Sequence, residues 1–144
     1  IAVLHFDDIG VPPAEEMARV HGSGEEWQRE MTMRWVEKIR AEHLEKHDVL
    51  LDLQSRPSFI VEACAKYEVA SYRCLLLDCA DDVRRERLIA GGHPELANER
   101  MMDWATFLRK ESVARKFAII DTSEQTPVEC ATTIRARIGA SRGE

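Results

Sequence analysis

The sequence predicts an α/β fold in which short parallel strands alternate with amphipathic helices. Short, largely apolar runs at 2–6, 49–51, 72–77 and 117–120 recur between stretches of helical periodicity, the alternation expected of an α/β chain. The clearest run, Val49 to Leu51, is wholly apolar, as befits a strand buried on both faces of a parallel sheet. Each run also passes into an acid, namely Asp7-Asp8, Asp52, Asp78 and Asp121. Polar groups at the carboxyl ends of parallel strands sit where open α/β sheets bind ligands.

The elements follow in order. Residues 2–6 form the first strand, and Gly10, Pro12 and Pro13 then break the chain. Over 25–47, Trp27, Met31, Trp35 and Ile39 recur every four residues and give one apolar helix face, with Ser23 and Glu26 as a capping box. The strand ending at Asp52 leads through Gln54 to Arg56-Pro57, which can start the helix marked by Phe59, Ile60, Ala63, Cys64 and Tyr67. After the strand at 72–77, Arg84, Arg85 and Arg87 lie on a first helix that Gly91-Gly92 interrupts. Pro94 is expected to open a second helix running through Trp104 to Lys116. The strand at 117–120 precedes Thr126-Pro127-Val128-Glu129, an N-cap, a proline at N1 and an N3 glutamate that start a closing helix. The tryptophans fall on apolar stripes and are assigned to the core, and His5 is read as a packed strand histidine.

A chain of 144 residues suits one domain, and no repeat or linker divides it. The net charge of −6 argues against a nucleic-acid surface, which would rest on Lys and Arg neutralising phosphates. No apolar run approaches a membrane span and no secretory signal is visible. The four cysteines form no C-x-x-C pair and read as buried reduced thiols, as in a cytoplasmic protein. The sequence opens on Ile1 inside a strand, so a missing beginning is expected.

Carboxylates gathered at one sheet edge could hold Mg²⁺, a hard cation that prefers oxygen, or could orient a substrate hydroxyl. Asp8 and Asp52 weigh toward such chemistry, whereas Asp78 and Asp121 weigh toward turn and cap roles. Arg84 and Arg87 share a helix face, and Arg109 and Arg115 lie on the returning helix. Guanidinium groups on a helical flap can close over phosphates, although Glu86, Glu95, Glu99 and Asp103 equally allow a salt-bridged solvated face. His43 and His47 have a zinc-compatible spacing but no third ligand, so they read as a solvated helix end.

The segments HFDDIGVPP, DLQSRP, VRRERLIAGG, FLRKESVARK and DTSEQTP resemble, in order and spacing, the P-loop small-molecule kinases, which include the adenylate, shikimate and nucleoside kinases. The resemblance implies a three-layer parallel sheet with helices on both faces, acceptor-side helices over about 10–47 and a helical lid over about 84–116. It implies ATP and Mg²⁺ as cofactors and a small-molecule phosphoryl acceptor as partner. It places Asp8 on the acceptor with Asp7 beside it, Asp52 at magnesium, and Gln54 and Arg56 on substrate. It puts Arg87 near adenine, Arg109 and Arg115 near the transferring phosphates, and Thr126-Pro127 in the loop bordering adenine. The chain departs from the pattern at two places. It has no G-x-x-x-x-G-K-[ST] loop, which HGSGEE does not replace, and Gly91 and Gly92 stand where relatives carry lid arginines. A chain lacking the first strand, loop and helix is therefore expected to bind ATP poorly and show no useful catalysis alone.

Two readings compete. A receiver-type phospho-acceptor domain would use Asp7-Asp8 and Asp52, but it wants Ser or Thr and then Lys at the later strand ends, where Asp78-Cys79-Ala80 and Asp121-Thr122-Ser123 stand. A non-catalytic nucleotide-binding module needs no cradle loop. Haloacid-type phosphatases require D-x-D, and no Gly-x-Ser-x-Gly or Cys/His arrangement supports a hydrolase.

Overall fold

The computed structural model describes residues 1–140. The chain runs β1 (Ala2–His5), a 3-10 turn (Phe6–Ile9), α1 (Ala14–His21), α2 (Gly24–Glu42), β2 (Val49–Asp52) and α3 (Pro57–Lys66). It continues as β3 (Leu75–Asp78), α4 (Asp81–Ala90), a second 3-10 turn (Pro94–Leu96), α5 (Glu99–Ala114), β4 (Ala118–Asp121) and α6 (Pro127–Gly139). The fold is mixed α/β with parallel strands. The strands form two ladders rather than one: β1 pairs with β2, His5 opposite Asp52, and β3 with β4, Asp78 opposite Asp121. The chain separates into two compact units, 1–72 and the remainder from Arg73. Among the described residues no helix is long and apolar enough to cross a membrane.

In the first unit α2 buries two faces. Trp27, Met31 and Trp35 pack with Phe6 against Leu4, Leu51 and Met17, while Met33 and Val36 pack with Ala63 and Cys64 of α3. Phe6 meets Trp27 edge to face at 5.9 Å, and Trp35 Nε1 donates to the Phe6 carbonyl at 2.9 Å, which ties the turn after β1 to α2. Ser23 Oγ accepts from the Glu26 amide at 3.1 Å, an ordinary N-cap rather than the reciprocal box expected. α2 stops at Glu42, short of the expected 47, where the His43 and Leu44 amides both fold back onto the Ile39 carbonyl. α1 follows Pro13 directly, with that proline at its N-cap, so the proline pair that breaks the chain after the 3-10 turn leads into a helix.

Helices α3 and α5 both end on a left-handed residue that is not glycine, Glu68 (φ 55°) and Lys116 (φ 58°). In each, the next amide reaches back to close the last turn, Val69 to Cys64 O and Phe117 to Ser112 O, both at 2.9 Å.

The second unit corrects three boundaries. β3 begins at Leu75, not Tyr72, and β4 extends to Asp121. Pro94 opens only the short 3-10 turn; α5 waits for Asn98, whose side chain accepts from the Met101 amide at 3.0 Å. A side-chain cap decides the start because it satisfies an orphan N–H, which proline cannot do. Trp27 and Trp35 are core residues as expected, whereas Trp104 is half-buried and stacks on the exposed Phe107 at 5.6 Å. Cys64 is buried, which pushes its thiol up, and the other three cysteines are half-buried, all four free.

α6 starts as the sequence demands. Thr126 Oγ1 accepts from the Glu129 amide at 3.3 Å and Glu129 Oε2 accepts from the Thr126 amide at 2.7 Å. Those Thr126 donors hold the Glu129 carboxyl below its ordinary range. A depressed carboxylate adds stability above its ordinary titration and loses it as pH falls through the folded value. Acidification therefore frays the first turn of α6, read as faster amide exchange at Glu129 and Cys130, and Thr126→Ala costs about 1 kcal/mol at neutral pH.

Candidate functional site

The carboxyl ends of the strands place the polar groups, and each unit carries its own set. In the first unit, alternate residues of β1 face outward, so His5 stands exposed with its Nδ1 3.3 Å from Asp52 Oδ2. Both side chains are more than half exposed. His5 is thus not a packed strand histidine; the two-residue period puts it on the open face with Asp52. The chain then tightens into the 3-10 turn, closed by the Gly10 amide on the Asp7 carbonyl at 3.0 Å with Gly10 at φ 91°. Asp7 and Asp8 are both exposed on this turn. Asp8 lines a cleft of about 620 Å³ together with Arg34, Trp35 and Lys38 of α2, whereas Asp52 does not line it.

The segment after β2 is held by a residue that the sequence patterns did not single out. Gln28 Oε1 accepts from both the Arg56 amide (3.1 Å) and the Arg56 guanidinium (2.8 Å), and its Nε2 donates to the Gln54 carbonyl at 3.3 Å. Beneath it, buried Thr32 donates to the Gln28 carbonyl and shares a 2.8 Å hydrogen bond with buried Ser55. Arg56 also lies 3.5 Å from Glu25 and over the Phe59 ring. The Gln54 side chain remains exposed. Two uncharged polar residues at i,i+4 among the charged and apolar residues of α2, Gln28 and Thr32, were the available signal.

In the second unit Asp78, expected as a turn residue, is instead the anchor. Its side chain is only 11% exposed, and its oxygens accept from Arg84 at 2.6 Å and from Arg109 Nε at 2.5 Å. Arg84 also reaches Asp81 and the Cys79 carbonyl, both at 2.8 Å. The Asp78 hydrogen bond raises the Arg109 guanidinium further, with Asp81 and Asp121 contributing. Arg87 donates to the Thr122 hydroxyl at 2.9 Å and the Thr122 carbonyl at 2.6 Å, clasping the loop after β4. Ser123 donates its hydroxyl and its amide to Asp121, holding that carboxyl below its usual range, with Arg109 and Arg87 adding to the effect.

Arg109 thus meets Asp78 at the end of β3 and Arg87 holds Thr122 just after β4, but Arg115 does not join them. Its guanidinium turns back one helical turn onto Glu111. Thr126 and Pro127 start α6, with the Thr126 hydroxyl and amide engaged by Glu129. Among the described residues no group of three His, Cys, Asp or Glu side chains is placed to hold a metal. A cation at Asp52 would therefore draw its other ligands from water or from a bound phosphate, the usual habit of Mg²⁺. Comparison with family models, curated proteins and solved structures yields no match.

Proposed function

We propose that this chain belongs to an ATP-dependent phosphotransferase that acts on a small molecule with Mg²⁺ as cofactor, in a P-loop-kinase-like arrangement. The observation that carries the reading is Arg109. Asp78 fixes it through Nε at the carboxyl end of a parallel strand pair. Its side chain is 41% exposed, and its terminal nitrogens have no hydrogen-bond partner among the described residues. A guanidinium oriented in advance on its inner edge is suited to stabilising charge on a phosphoryl group in flight.

The remaining roles follow the resemblance. Asp8 meets the acceptor hydroxyl, Asp52 positions magnesium, Gln54 and Arg56 hold substrate, and Arg87 with the Thr126-Pro127 loop flanks adenine. Gln28 supports this assignment by fixing Gln54 and Arg56 together. Free thiols fit a reducing cytoplasm. Residues 1–144 contain no G-x-x-x-x-G-K-[ST] loop, so the cradle for the β- and γ-phosphates is not among the roles assigned to them.

The test is transfer of radiolabelled γ-phosphate by the product of the full reading frame, with Mg²⁺ and a panel of hydroxyl and phosphate acceptors. Arg109→Ala is expected to lower kcat at least about tenfold, and an unchanged rate removes Arg109 from the mechanism. Residues 1–144 by themselves are expected to turn over no ATP; measurable turnover refutes this division of roles.

A further inference from the structure

The cleft beside Asp8 offers a ligand more than one acid. It is a depression of about 620 Å³, within the size range of small-molecule sites. Besides Asp8 it is lined by Leu4, Ile9 and Trp35, by Arg34 and Lys38 at i,i+4 along α2, and by Glu42 and His43 at the end of that helix. Lys38 lies 3.9 Å from Glu42 and 5.9 Å from the Trp35 ring centre. Arg34 and Asp8 have neither an ion pair nor a hydrogen bond among the described residues. Arg34 also borders an adjoining depression of about 370 Å³ walled by Ile9, Trp27 and Met31. An unpaired guanidinium, an unpaired carboxylate and an apolar wall therefore face one opening.

We propose that this cleft takes a hydroxylated small molecule with a ring-sized apolar body and one anionic head. Arg34 grips the head with help from Lys38, the body lies against Leu4, Ile9 and Trp35, and the hydroxyl reaches Asp8. Guanidinium is the cation that reads carboxylate and phosphate alike through paired donors, so the head can be either. Asp8 disfavours a second anion near the hydroxyl and accepts its proton in a hydrogen bond. The identification of this molecule as the phosphoryl acceptor rests on the phosphotransferase reading; the anion preference of the cleft does not.

The experiment is calorimetric titration of the whole chain, without nucleotide, using 4-hydroxyphenylacetate, 4-hydroxyphenyl phosphate and the neutral methyl 4-hydroxyphenylacetate. At least one anion should bind saturably and at least about tenfold more tightly than the ester, since a charge-assisted contact distinguishes them. The preferred anion tells carboxylate from phosphate. Arg34→Ala should weaken that anion at least about tenfold. Position 34 is exposed on a helix and alanine is the best helix former, so the fold survives; circular dichroism checks this and Arg34→Gln repeats the measurement. Equal affinity for the ester, no saturable binding of either anion, or unchanged binding by Arg34→Ala overturns the proposal. Anion binding without phosphotransfer by the complete protein would sink the kinase reading and leave the cleft; phosphotransfer with no saturable anion binding would sink the cleft and leave the kinase reading.

Discussion

Replacing Trp35 by alanine is expected to lower the stability of the first unit by about 3–5 kcal/mol, the usual range for emptying a buried aromatic site. Trp35 is 6% exposed and packs with Phe6, Trp27 and Met31. Truncation opens a cavity among those rings and leaves the Phe6 carbonyl without the indole donor it now has at 2.9 Å. Because that carbonyl belongs to the turn bearing Asp7 and Asp8, the variant should also loosen the acids. Trp35→Phe keeps most of the apolar contact and should cost about 1–2 kcal/mol, chiefly the lost hydrogen bond. Urea unfolding separates the two; a loss below about 1 kcal/mol for the alanine variant contradicts this account of the core.

Asp78→Ala is the second large effect, expected at about 2–3 kcal/mol from the second unit. Removing one partner of a fully buried pair typically costs about 3–5 kcal/mol because a charge is left unpaired. Here Arg84 is 14% exposed and keeps Asp81, and Arg109 is 41% exposed, so solvent screens part of the penalty. Arg109→Ala, by contrast, should cost less than about 1 kcal/mol while lowering turnover. Amide exchange across β3 and β4, with urea unfolding, reads both variants. A stability loss from Arg109→Ala as large as that from Asp78→Ala would make Arg109 a structural residue.

The sequence made some of these features legible and hid others for physical reasons. The i,i+4 stripe of Trp27, Met31 and Trp35 and the Thr126 to Glu129 box are local patterns, and both appear in the structure as read. β2 was visible because three successive apolar residues ending in an acid are too short for a buried helix and lack its periodicity. His5 was misjudged because its side depends on which face of β1 packs, and that is set by Leu4 meeting the Phe6 cluster. The role of Asp78 was hidden because its partners, Arg84 and Arg109, lie 6 and 31 residues away. Gln28 escaped notice for a similar reason: its amide serves a loop 26 to 28 residues on.

The parallel ladder between β1 and β2 joins positions 47 residues apart, as His5 and Asp52 are. Closing so long a loop costs entropy before any strand contact repays it, whereas a helical turn of α2 needs only near neighbours. Helices therefore have a head start during folding, and the polar edge carrying His5 and Asp52 is completed late. Substitutions there should act mainly by hastening unfolding, with little change in how fast the chain first collapses.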